Sequence, residues 1–192
     1  MKEMTVTTIA AIVHKANQKW WVDPHTEEPI IRNKGEMIAL MLSEVAELVD
    51  GYSTMDDHLP QYSTPTVELI DLFIRLMDYI GGHKIDILVQ SWEEWLNECA
   101  QAHPIFISSD RGAVNLLIRL VELLEVERKH HTDSDRITAA CENVLQVIAE
   151  QASDLGLTPD TFAEVFTAKM DYNANRADHK LENRRKPGGK LI

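Results

Sequence analysis

Apolar residues recur along most of the chain at intervals of three and four, the spacing of an α-helix with one buried face. The pattern is densest in two stretches, 34–51 (KGEMIALMLSEVAELVDG) and 66–82 (TVELIDLFIRLMDYIGG). The second surrounds a narrow polar stripe with residues such as Leu69, Phe73, Met77 and Ile80. A helix that is apolar over most of its circumference is expected to be buried.

Five further helices follow from the same spacing. They are expected at 5–19, 84–102, from Ser109 or Asp110 to 130, from Thr132-Asp133-Ser134 to 155, and at 160–174. Thr64-Pro65 and Leu157-Thr158-Pro159 read as helix starts, and Gly81-Gly82 as a stop. No stretch alternates as a strand does. Seven helices with short connections imply an all-α helical bundle, organised as a single domain over residues 1–192. Residues 111–126 resemble 34–49 in apolar pattern, with Val121 and Leu124 in the places of Glu44 and Glu47. The segment at about 84–158 is therefore either an insertion or a degenerate second helical pair.

Composition narrows the class. The chain has 192 residues, 44% hydrophobic and 26% charged, which is ordinary for a globular domain. No apolar run approaches a membrane span, and the N-terminal stretch is too short for a signal peptide. Cys99 and Cys141 form no motif and suit free thiols in a reducing cytoplasm. A net charge of −12 argues against general nucleic-acid binding. The charge is uneven: residues 176–192 carry +4, which leaves −16 on the rest.

The candidate chemistry lies on the polar stripes of the two dense helices. Glu44 and Glu47 are three residues apart on the first, Glu68 and Asp71 on the second. Glu68, Asp71, Arg75 and Asp78 fall within about 80° of one helix face. Buried carboxylates are costly unless they are paired or bind metal. A hard divalent cation with oxygen ligands, such as Mg²⁺, relieves the repulsion among four of them. The plain alternative is a solvated acidic stripe with Arg75 paired to Asp71 or Asp78.

Glu44-Val-Ala-Glu47 followed by Glu68-Leu-Ile-Asp71 resembles the ExxE…ExxD signature of the MazG-like all-α nucleoside triphosphate pyrophosphohydrolases, whose superfamily includes the dimeric dUTPases. The likeness extends through Arg75 and Asp78, through the loop Asp57-His58-Leu59-Pro60, and to Lys169, Tyr172, Asn173, Arg176 and Gly188-Gly189-Lys190. It covers about 15–82 and 167–192.

This resemblance implies an all-α pyrophosphatase-type bundle and Mg²⁺-dependent cleavage of a nucleoside triphosphate to the monophosphate and pyrophosphate. Mn²⁺ would substitute for Mg²⁺. Glu44, Glu47, Glu68 and Asp71 would hold the metal, with Glu47 or Glu44 as general base. Lys169, Asn173 and Arg176 would flank the phosphates, and Lys190 would either close over them or lie in a free end. Arg75 and Asp78 would orient these groups. Trp20 or Trp21 offers a flat face for a base. The resemblance also implies a homodimer or larger. The basic tail, Arg184 to Ile192, is expected to approach the triphosphate and to add little to stability. The competing expectation is a non-catalytic helical interaction protein related to this family.

Overall fold

The computed structural model describes residues 1, 3–87, 91–102 and 109–190. It is an all-α bundle. Its helices are α1 (Val6–Asn17), α2 (Lys34–Asp50), α3 (Thr64–His83), α4 (Trp92–Ala102), α5 (Ser109–His130), α6 (Ser134–Asp154), α7 (Pro159–Asn175) and the short α8 (Leu181–Arg184). Two 3₁₀ turns, Gln18–Trp20 and Ala177–His179, follow α1 and α7. Among the described residues the extended pairing amounts to three isolated bridges, such as Val22 with Pro29.

Helix starts obey local chemistry. Asn33, Asp133 and Thr158 cap α2, α6 and α7 by accepting backbone N–H groups, and Thr158 and Thr161 complete a capping box beside Pro159. The helix expected to begin at 84 begins instead at Trp92. Lys84 takes a left-handed conformation (φ 55°) as the C-cap of α3, so the chain turns there. The break expected at 103–108 lies outside the described residues.

Gly81 and Gly82 lie in the last turn of α3, which ends at His83, one residue past the expected stop. They serve close packing: a Cβ on Gly81 would lie 2.5 Å from the Ala10 carbonyl oxygen, and one on Gly82 2.1 Å from the Trp21 ring. Those two contacts bring α1 and the indole of Trp21 onto α3.

α3 is the central element. It packs against α1, α2, α6 and α7, and is buried along most of its length, as its all-round apolar pattern requires. α2 with α3 and α5 with α6 form two hairpins joined through α2 and α5. Phe73 of α3 anchors an aromatic cluster with Trp92, Phe162 and Phe166. Cys99 and Cys141 are free and buried. Among the described residues no helix is long and apolar enough to cross a membrane.

Candidate metal and anion site

With α3 buried, its polar stripe has to face other side chains. One carboxylate oxygen from each of Glu44 on α2 and Glu68 and Asp71 on α3 lies within 4.8 Å of the others. Glu44 and Glu68 are buried and Asp71 is half-buried. This is an all-oxygen donor set on two rigid helices, which fits a hard divalent cation. Glu47, expected to be a fourth ligand and a candidate base, stands one turn further along α2. It is exposed and outside this group.

Cations bracket the carboxylates. Arg75 donates from Nε to Glu44, across the hairpin, rather than to Asp71 or Asp78 as the single-helix pattern suggested. Lys169, buried on α7, reaches Asp71 at 2.7 Å. Burial works against the Lys169 charge, but Asp71 and Glu68 outweigh it and raise its pKa. Burial pushes Glu44 up, with Arg75 opposing. Burial and the hydrogen bond with Glu44 push Glu68 up to about 9. Burial thus favours a protonated carboxyl in the cluster beside its two counter-cations, and a metal ion would favour the ionised form.

A cleft opens beside Asp71. One part of its wall is charged, with Arg75, Arg176 and Lys190, and another is apolar, with Trp20, Met37, Leu40 and Ile74. Asn173 lines it too, while its backbone carbonyl accepts from Lys19 and His179. Arg176 forms a forked pair with Asp178 at 3.0 and 2.9 Å, and Lys190 meets the same carboxylate at 3.2 Å. The hydrogen bond from Arg176 holds Asp178 well below the usual carboxylate range. The expected phosphate-facing residues thus gather around one cleft, with Lys169 at its carboxylate end.

Asp78 lies two helical turns from Asp71. It is buried and accepts from His14 Nδ1 at 3.0 Å and Trp21 Nε1 at 3.1 Å. Arg32 Nη1 stands 3.6 Å from it. Trp20, not Trp21, lines the cleft. The loop after α2 is pinned by Asp56, which accepts from the His58 and Leu59 N–H groups at 2.9 and 2.7 Å. His58 stacks on Tyr172, and Lys169 and Arg176 approach the same ring. Arg32 and Asp56 lie outside any sequence signal: each stands in a loop without helical periodicity, and only the fold buries them.

The tail is not a free end. Arg184 is 1% exposed, stacked 4.3 Å from the centre of Trp20, and donates to the Lys19 carbonyl. Arg185 binds the Pro24 carbonyl and Glu27. This strap holds Lys190 at the cleft.

No protein-family model, curated protein or solved structure matches the chain.

Proposed function

We propose that the protein is a Mg²⁺-dependent pyrophosphohydrolase that cleaves a nucleoside triphosphate into the monophosphate and pyrophosphate. The observation that carries this reading is the convergence of Glu44, Glu68 and Asp71 at one end of a cleft whose walls carry Arg75, Arg176 and Lys190. The ExxE…ExxD resemblance, which rests on the same carboxylates, agrees with it.

Glu44, Glu68 and Asp71 would hold Mg²⁺, with Mn²⁺ as a substitute. The bound ion supplies charge neutralisation for the phosphates and makes water a stronger acid. Glu47, exposed one turn along α2, is free to accept a proton from the attacking water. Arg75 and Lys169 fix the carboxylates of Glu44 and Asp71. Asn173, Arg176 and Lys190 lie where the departing phosphates need donors, and Asp178 releases the two cations as phosphate replaces it.

Assembly as a homodimer or larger belongs to the same reading. Val114, Leu117, Ile118, Val121 and Leu124 form one exposed apolar stripe on α5, about 120° wide. Ile118→Glu is expected to shift the light-scattering mass to the monomer. A monomeric parent protein at micromolar concentration refutes this assembly.

A non-catalytic role is favoured by one observation: Glu44 and Asp71 each already have a counter-cation. Magnesium-dependent release of pyrophosphate from a panel of ribo- and deoxyribonucleoside triphosphates decides between the two. No release from any member, with the protein folded, sinks the hydrolase.

A further inference from the structure

Four buried side-chain polar atoms lack a partner among the described residues: Arg32 Nη2, His83 Nε2, Trp92 Nε1 and Gln151 Oε1. Of these residues only Arg32 lines the cleft beside the carboxylates. Arg32 precedes the N-cap of α2 and is 8% exposed. Its Nη1 lies 3.6 Å from Asp78, and its guanidinium carbon 5.8 Å from the Trp21 ring centre. Asp78 is itself fixed by His14 and Trp21. A buried cation with a spare donor is costly unless a ligand uses it.

The cleft has a sequence of environments along α3. Asp71 and Asp78 are seven residues apart, about 10 Å along the axis. Asp71 marks the carboxylate and cation end. Ile74 lies between the two, with Met37, Leu40 and Trp20 forming the apolar part of the wall. Arg32 marks the Asp78 end. A nucleotide presents the same order: anionic phosphates, then a flat base with apolar faces, then a polar base edge.

We propose that Arg32 reads the edge of the nucleobase and selects bases carrying a carbonyl oxygen there: guanine, uracil or thymine over adenine and cytosine. The inference rests on the nucleotide reading of the cleft. Arginine only donates hydrogen bonds. A carbonyl oxygen, or the O6/N7 pair of guanine, accepts from it. The exocyclic amino group of adenine or cytosine at the same place sets N–H against N–H and leaves both unpaired. A site built around a buried donor rejects the wrong partner more strongly than an apolar wall does.

The test is calorimetric binding of GMP, UMP, AMP and CMP to the purified protein, which needs neither turnover nor metal. GMP and UMP are expected to bind about tenfold more tightly than AMP and CMP. Arg32→Gln, whose amide both donates and accepts, should collapse that preference, while Arg32→Lys, still donor-only, should retain part of it. Four equal affinities, binding of none of the four, or an unchanged preference in Arg32→Gln overturns the proposal. The parent panel stands even if a variant does not fold. Pyrophosphate release from GTP and ATP is measured alongside. Release without base preference removes only Arg32's role, whereas base preference without release removes only the hydrolase.

Discussion

Lys169 on α7 and Asp71 on α3 form an ion pair at 2.7 Å, with the lysine side chain 4% exposed. The pair ties the last long helix to the central one at the point where the carboxylates meet. Breaking a buried pair from one side leaves an uncompensated charge. Lys169→Met is expected to destabilise the fold by about 3 kcal/mol, and adding Asp71→Asn should recover part of that loss. Chemical denaturation of the single and double variants measures it. An additive double variant shows that the two charges do not depend on each other.

Glu47 separates catalysis from stability. It is exposed, and Arg75 and Lys169 pair with Glu44 and Asp71 instead. If it serves the reaction, Glu47→Gln lowers turnover about a hundredfold and leaves the melting temperature unchanged. Asp71→Asn should lower both, because it strands Lys169. Near-normal turnover in Glu47→Gln removes that residue from the site and confines it to the three carboxylates that converge.

The pH dependence of stability reports on Glu68. Burial raises its folded pKa from 4.5 to about 9. Over that window the native state binds more protons than the unfolded chain, so stability falls as pH rises. His83 and His179, both lowered by burial to about 4, act the other way, adding stability as pH rises from about 4 to 6.5. Above pH 7 the two histidines no longer titrate. The melting temperature of the metal-free protein should therefore fall between pH 7 and 9. Glu68→Gln should make that slope shallower, and so should millimolar Mg²⁺, because a bound cation favours the ionised carboxyl. An identical slope in Glu68→Gln excludes Glu68 as its source.

The helices were legible in the sequence because their signals are local. Apolar spacing located all seven long ones, and Thr158-Pro159 fixed the start of α7. The meeting of Glu44 with Glu68 and Asp71 was legible in the spacing of the two stripes, but the same spacing also enrolled Glu47, which lies outside the cluster. Partnerships between elements were not. The pattern on one helix suggested Arg75 with Asp71 or Asp78, whereas packing put it on Glu44 of the neighbouring helix. Arg32 and Asp56 have no periodic context, so their burial depends on contacts distant in sequence. Gly81-Gly82 carries two roles: the local stop, met within one residue at His83, was legible, whereas its close packing against Ala10 and Trp21 was not.

The tail carries the last prediction. Its +4 charge, set against an acidic body, suggested a tail that approaches the phosphates and adds little to stability. The fold gives it a structural role. Arg184 is almost wholly enclosed, stacks on Trp20 and donates to the carbonyl of Lys19, so its guanidinium joins the last residues to the end of α1. Arg185 extends the join to the loop around Pro24. Removing Arg184 strands a buried carbonyl and uncovers Trp20, a loss of about 2 kcal/mol. Truncation before Arg184 should lower the melting temperature by several degrees. It should also weaken phosphate binding, because Lys190 leaves the cleft and Trp20 loses its backing. Lys190→Ala separates the two effects, since the Arg184 strap remains in place. That variant should melt like the parent and bind inorganic pyrophosphate more weakly. A truncated protein that melts like the parent would show that the strap contributes nothing to the fold. Parent-like pyrophosphate binding in Lys190→Ala would show that the lysine only neutralises Asp178.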